Sequence, residues 1–489
     1  MATALNTSDE QILPRDTILI DGEWRSTASG GAMEHVNPTT GRAQASFAVG
    51  GAKEIDEAVQ AAKRAFPAWR RVTADVRREI LYRFAQLLKD NAASFDHIGA
   101  LESGAPIGRS MLGMVIDQVT YAAGWVDKLE GQITPTYPFE ALNLVHHEPY
   151  GVIGAITTWN GPVITAAMKC APAMAAGNCV VIKPPELGPF GTALLGQIAL
   201  DAGIPPGVLN IVSGAAEAGE ALVRHPDVGK VTFTGSVPIA KIILKAAAEN
   251  ITPVVLELGG KSANIVFEDA DLDNAAIMAA HMSVVQTAGQ GCLFPTRLLV
   301  QDSVYDAVVE RILAYIGTIK VGDPLDPSTV MGPVISQRAV DRITGYIDGA
   351  KASGQVKLLA GGNRIGGELA NGFFIEPTVF GEVDNSAAIA RDEIFGPVLS
   401  IMRFKTEEEA LRIANDTNFG LAGYVHTNDL RRAHRVAGAL EAGYIGINSF
   451  PSMPASAPFG GWKQSGYGRE GGRIGIEEFL RPKNVHLPL

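Results

Sequence analysis

Residues 152–183 read VIGAITTWNGPVITAAMKCAPAMAAGNCVVIK, and their rhythm decides the fold. Val152 to Ile156 is a short apolar run, and Val163 to Ala175 reads as a helix that Gly177-Asn178 stops. Cys179 to Lys183 is a second apolar run, cut off by Pro184-Pro185, which cannot continue a strand ladder. The alternation then repeats. Gly188 to Ala202 is helical, Val208 to Val212 a third strand, Val231 to Thr234 a fourth with a helix to about Asn250, and Val254 to Leu258 a fifth. Strands of about five residues alternating with helices of about ten to fifteen form βαβ units and a parallel sheet. Such sheets bind ligands beyond the carboxyl ends of their strands, where the polar residues of this chain gather.

Outward from this core, Ala52 to about Ser103 has apolar residues at helical spacing and predicts two or three amphipathic helices. Before them, Asp21-Gly22-Glu23-Trp24 and Asn37 to Gly41 are turn signals among short strands. After the core, a second α/β stretch runs from about Ser262 to Phe450, with a turn at Gly361-Gly362 and a Pro-bounded strand at Glu376-Pro377. Gly471 to Leu489 reads as a short helix and an extended tail.

A chain of 489 residues exceeds one hydrophobic core, so two or more domains are expected. With 46% apolar and 19% charged residues it is globular, not disordered. The net charge of −11 and the lack of a Lys/Arg cluster argue against a nucleic-acid partner. No run of roughly 18 apolar residues predicts a membrane span. Met1 to Asp21 carries no signal-peptide pattern, and three cysteines are too few for a disulfide framework. A cytoplasmic protein is the expectation.

Cys292 follows Gly289-Gln290-Gly291, where glycines at a helix end give a thiol open approach and backbone N–H groups. A buried structural cysteine is the competing reading, and it is the better one for Cys170 and Cys179, which sit inside apolar runs. Glu257 closes an apolar strand, so it is either a desolvated general base or a carboxylate paired with a cation such as Lys261. Lys183 and Glu186 bracket two prolines at a strand end. They could bind the two hydroxyls of one ribose, or form an ordinary surface ion pair. Thr234-Gly235-Ser236 opens a helix and is either an anion site for a pyrophosphate or a plain N-cap. The G-x-G-x-x-G fingerprint is absent after each of these five strands, so an ordinary Rossmann dehydrogenase is not supported.

In order and spacing, seven motifs resemble the aldehyde dehydrogenase superfamily from about Asp21 to Leu489. They are Trp159-Asn160, Lys183-Pro184-Pro185-Glu186, Phe233 to Ser236, Leu256 to Lys261, Gly289 to Cys292, Glu393 to Pro397 and Pro458 to Gly461. The Glu-Leu-Gly-Gly-Lys and Gly-Gln-x-Cys pair, with Glu257 and Cys292 35 residues apart, is the most specific of these. The resemblance implies a Rossmann-like NAD-binding domain from 1–126 and 148–257, an α/β catalytic domain at 258–469, and a small β-flap for oligomerisation from 127–147 and 470–489. It implies that Cys292 attacks the aldehyde, that Asn160 and the Cys292 N–H hold the oxyanion, and that Glu257 activates water. It also implies NAD, with NADP possible, held by Trp159, Lys183, Glu186, Gly235, Ser236, Glu393 and Phe395. A carboxylate at Glu186 repels a 2′-phosphate and favours NAD. No metal is implied, and a homodimer or homotetramer is, joined through the flap and its strand-like tail at Asn484 to Leu487.

Two departures from the family pattern bear on the substrate. Thr158-Trp159-Asn160-Gly161 stands where the family usually has Pro-Trp-Asn-Phe, and Gln286-Thr287 where it commonly has Phe-Asn. Met168, Phe294, Phe450 and Met453 are expected to line the substrate tunnel, with Phe450 to Ala457 as its entrance. That loop has no Arg or Lys for a carboxylate and no aromatic cage for a quaternary ammonium, so an apolar aliphatic or aromatic aldehyde is expected. A CoA-acylating semialdehyde dehydrogenase is a rival, opposed by Glu257. So is a non-catalytic binding protein, opposed by Cys292 and Glu257 together.

Overall fold

The computed structural model describes residues 13–489. Residues 1–12, part of the Met1 to Asp21 stretch and the start of the expected NAD-binding segment, lie outside the described residues. Two mixed sheets, of eight and seven strands, carry the two halves of the molecule.

The first sheet has five parallel strands in the spatial order Leu209–Val212, Cys179–Lys183, Val152–Ile156, Val228–Thr234 and Val254–Glu257. These are the five runs read from the sequence. All but Val228–Thr234 are buried along their whole length, which is why they are unbroken apolar stretches and not alternating ones. The chain leaves Val152–Ile156 in one direction for two strands, then returns to its other side, so strand order reverses there. Right-handed crossovers then put the helices of the two directions on opposite faces. Pro162–Ala175 and Phe190–Asp201 pack on each other and on the sheet, as do Ala52–Trp69 and Ala216–Arg224. Pro162 starts its helix where no backbone donor is needed. Two short strands, Ile18–Ile20 and Glu23–Arg25, extend one edge antiparallel, and Gly466–Tyr467 closes the other beside Val254–Glu257.

The second sheet runs Lys357–Ala360, Thr378–Gly381, Val398–Phe404, Arg297–Gln301, Ala263–Val266, Ala422–His426 and Tyr444–Ile447, parallel except at its first strand. Its core is separate from the first and holds Ile265, Leu298, Leu299, Ile343 and Leu399. A three-stranded antiparallel sheet of Gln132–Thr134, Ala141–Pro149 and Leu480–Pro488 projects from the body.

The strands differ from the expected segments at their edges. Ala141–Pro149 continues past His147 into the segment expected to belong to the NAD-binding half. Gly466–Tyr467 comes from the span expected to be catalytic, yet pairs with the first sheet. The tail strand begins at Leu480, four residues before Asn484, because it pairs with Ala141–Pro149 over its full length.

Candidate active site

Strand order sets the carboxyl ends side by side along one edge of the first sheet. In sequence along that edge come Lys183 and Glu186, then Thr158 to Asn160, then Thr234 to Ser236, then Glu257. The second sheet faces this edge with the Cys292 loop and the Glu393 to Phe395 turn. Two cavities open on either side of Cys292. One, about 390 Å³, is walled by Trp159, Gly235, Ser236, Arg342, Glu393 and Phe395. The other, about 400 Å³, is walled by Met168, His281, Gln286, Phe294, Phe450 and Met453. Asn160, Glu257 and Cys292 belong to both.

The nucleophile loop is held by close backbone approaches. A Cβ on Gly260 would stand 2.3 Å from the Cys292 carbonyl oxygen, and one on Gly289, at φ 72°, would stand 2.3 Å from the Gly396 carbonyl oxygen. Side chains there would separate Cys292 from the turns bearing Glu257 and Glu393. Cys292 is half-buried, and its thiol is closely surrounded. Burial first, then the charges of Glu393 and Glu257, push it up to about 12. Burial pushes Cys170 and Cys179 equally high, so access and neighbours set Cys292 apart, not acidity. The thiol is therefore neutral in the free protein and needs a proton acceptor to attack.

Glu257 is 3% exposed, and neither carboxylate oxygen has a hydrogen-bond partner among the described residues. Burial first, then the neighbouring Glu470 charge, raise it well above the usual carboxylate range, while Lys169 opposes the shift. The pairing with Lys261 weighed from the sequence is absent. Lys261 is enclosed, drawn down to about 7 by burial and Arg297, and the carboxylates favouring its charge are Glu393 and Asp392. The cation beside Glu257 is instead Lys169, which bonds Glu470 Oε1 at 2.5 Å and Thr232 Oγ1 at 3.0 Å. A buried carboxylate so placed stays protonated to higher pH than an exposed one, which strengthens it as a general base once it is ionised.

Asn160 Nδ2 donates to the Gln290 carbonyl at 2.9 Å, and its Oδ1 accepts from the Thr158 hydroxyl at 2.5 Å. These bonds fix the amide with one N–H still available beside Cys292. Thr158, which stands in the place of the family's proline, thus orients the amide.

In the other cavity, Trp159 and Phe395 meet edge to face with centroids 5.3 Å apart. Glu393 accepts from the Gly260 N–H at 3.1 Å and is raised to about 7, chiefly by burial. Ser236 precedes the helix Val237–Ala247 without capping it through its side chain, so its hydroxyl is free for a ligand. Lys183 and Glu186 pair at 3.2 Å, but Lys183 is buried, which an ordinary surface pair would not be. They stand at the neighbouring strand end, outside this cavity's walls. The four expected tunnel residues, Met168, Phe294, Phe450 and Met453, all line the larger cavity.

Sequence reasoning passed over Lys169, Glu470, Arg342 and His281. Lys169 had a signal, since a lysine inside the apolar helix Pro162–Ala175 requires a buried partner. Glu470, 301 residues away, had none.

The family model described as the aldehyde dehydrogenase family matches residues 24–485. An aldehyde dehydrogenase of Aspergillus niger is 41% identical over 477 residues, covering 96% of this chain and 95% of the relative. The NAD+ complex of a betaine aldehyde dehydrogenase from Staphylococcus aureus superposes with a TM-score of 0.95 at 36% identity, covering 98% of this chain and 97% of the other. An NADP-dependent enzyme of E. coli superposes with a TM-score of 0.94 at 37% identity, covering 99% of this chain and all of the other, 100%. With its thiol, amide and buried carboxylate gathered between two cavities, the chain belongs to the aldehyde dehydrogenase family.

Proposed function

We propose that the protein oxidises an aldehyde to its carboxylic acid with NAD, NADP being the poorer cofactor, through a thiohemiacetal and a thioester on Cys292. The observation that carries this reading is the sharing of Cys292, Asn160 and Glu257 by two cavities, so that a carbonyl and a cofactor can reach one thiol from opposite sides.

The walls of the smaller cavity, with the strand end beside them that carries Lys183 and Glu186, suit a dinucleotide. Ser236 and the helix N-terminus behind it suit a pyrophosphate, Glu393 with Phe395 a nicotinamide ribose, and Lys183 with Glu186 an adenosine ribose. Bound NAD would supply the hydride acceptor that oxidation at the aldehyde carbon requires. The chain's own residues do the rest. Cys292 Sγ adds to the aldehyde carbon as its proton passes to solvent, which leaves Glu257 free for the later step. The Asn160 amide and the Cys292 N–H stabilise the oxygen as it becomes anionic, a contribution of about 3–4 kcal/mol for such a donor. Once the carbon is at the thioester level, Glu257 takes a proton from water, the water oxygen adds, and Cys292 leaves as the acid forms.

An apolar aliphatic or aromatic aldehyde fits the larger cavity, whose walls include Met168, Phe294, Phe450 and Met453. The protein is taken to be a cytoplasmic homodimer or homotetramer. Among the described residues no helix is long and apolar enough to cross a membrane. The flap strand Leu480–Pro488 carries exposed Val485 and Leu487, an edge that a partner subunit would cover. The deciding assay is aldehyde-dependent acid formation with NAD, with and without CoA. Acid made without CoA supports this reading, and a CoA requirement would replace it with the CoA-acylating reaction.

A further inference from the structure

The larger cavity is apolar over most of its wall, through Met114, Ile164, Met168, Met282, Phe294 and Phe459. Polar residues interrupt it: Thr165, Gln290 and Glu470, and one short segment that contributes three together, His281, Gln286 and Thr287, none of which lines the cofactor-side cleft. Its backbone is irregular. His281–Val285 forms a π-helical turn, and Thr287 and Ala288 are left-handed, at φ 44° and 50°. Such conformations are unfavourable for non-glycine residues and persist where surroundings impose them. Their effect here is to bring the consecutive side chains Gln286 and Thr287 to the cavity wall.

The Thr287 hydroxyl is enclosed and has no hydrogen-bond partner among the described residues. His281 Nδ1 lies 2.8 Å from the Tyr315 hydroxyl, the Gln286 carboxamide stands beside the same ring, and Phe450 meets it edge-on at 6.2 Å. Burial lowers the His281 pKa and favours the neutral ring, and with Nδ1 engaged by Tyr315 the other ring nitrogen is left to bond. An enclosed polar wall of this kind penalises a bare hydrocarbon ligand and rewards one that brings its own hydrogen-bonding group.

We infer that the substrate is an aromatic aldehyde bearing a ring hydroxyl. Its ring packs among the methionine and phenylalanine side chains, and its hydroxyl bonds to the Gln286, Thr287 and His281 wall. This rests on the aldehyde-oxidising reading given above. Methionine and phenylalanine walls suit a flat ring, through sulfur–aromatic and edge-to-face contacts. A cavity of about 400 Å³ accommodates a monocyclic aromatic aldehyde. A hydroxyl is favoured over a carboxylate because the groups on this wall are neutral. The cation in the neighbourhood, Arg109, is exposed and lines an adjoining small pocket, not the large cavity, and water and salt screen such a charge.

The test is kcat/KM for benzaldehyde, the three hydroxybenzaldehydes, 4-carboxybenzaldehyde and hexanal. It is measured on the wild-type protein, on Gln286→Leu and on His281→Phe. A site built to bond a hydroxyl discriminates strongly against its absence, so at least one hydroxybenzaldehyde is expected to exceed benzaldehyde by about tenfold or more. That ratio should fall toward one in both variants. Equal values for benzaldehyde and all its hydroxylated forms overturn the inference, as does a best rate with 4-carboxybenzaldehyde, which assigns the mouth to anions through Arg109. Oxidation of hexanal but of no aromatic aldehyde also overturns it and leaves the aldehyde-oxidising reading intact. Reduction of NAD with no member of the panel would instead count against that reading. The wild-type comparison decides these outcomes even if a variant fails to fold.

Discussion

The space a side chain at Gly260 would need is taken by the backbone of Cys292, with 2.3 Å between a built Cβ and the Cys292 carbonyl oxygen. Backbone cannot yield as the tip of a flexible side chain can. Gly260→Ala must therefore push the nucleophile loop away from the turn that carries Glu257. Overpacking of this kind destabilises by about 1–3 kcal/mol. The expected result is a lowered midpoint in thermal unfolding and a kcat/KM loss larger than the stability loss explains.

Glu257 works only when ionised. Burial and the charge of Glu470 raise its pKa, so it stays protonated to higher pH than an ordinary carboxylate. Turnover should therefore rise with pH through that raised pKa. Removing the charge that opposes the shift, as in Lys169→Met, should move this limb further alkaline. Glu257→Gln should abolish the limb and lower steady-state turnover by about 10²–10⁴-fold. Pre-steady-state pH profiles with the three proteins check this.

Asn160 is fixed by Thr158 and Gln290 with an amide hydrogen left beside Cys292. Asn160→Ala should lower kcat by about 10²–10³-fold with a smaller effect on KM, since the oxyanion exists only after attack. An equal rise in KM with kcat unchanged would mean that the amide binds substrate and does not stabilise the transition state.

The Lys183–Glu186 pair holds a carboxylate at 3.2 Å from a buried ammonium. In Glu186→Ser the repulsion of a 2′-phosphate disappears and Lys183 is left to attract it. The ratio of kcat/KM with NADP to that with NAD should rise about tenfold, equivalent to about 1.4 kcal/mol. An unchanged ratio would move ribose recognition elsewhere.

On the flap, Leu487 is 55% exposed within a strand that pairs on one side with Ala141–Pro149. If that edge meets a second subunit, Leu487→Asp lowers the oligomer mass measured by light scattering and leaves the far-UV circular dichroism unchanged.

The parallel strands of the first sheet could be read from the sequence because four of the five are buried along their whole length, and such burial writes an unbroken apolar run. The flap wrote no such run. Leu480–Pro488 contains Arg481, Lys483 and His486 and gains its strand character from pairing, so its first four residues were missed. Gly466–Tyr467 is two residues long and has no pattern of its own. At the candidate site, the motifs singled out Cys292, Glu257 and Asn160, which share the wall between the two cavities, and Lys183 with Glu186, which stand outside those walls. Glu470 was not legible, because its meaning depends on Lys169, and chain distance hides that pairing. The His281 to Thr287 wall was half legible. Gln286 and Thr287 stood out as departures, whereas only the irregular backbone brings His281 beside them.

The covalent step is the centre of the proposal, and peptide mass spectrometry reads it directly. Glu257→Gln is mixed with NAD and an aldehyde that the wild type oxidises, quenched in acid and digested. The expected result is an acyl group, at the oxidation level of the acid, on the peptide containing Cys292 and absent from Cys292→Ala. NADH formed by the wild type with no acyl adduct in Glu257→Gln, or an adduct on Cys170 or Cys179 instead, would contradict it.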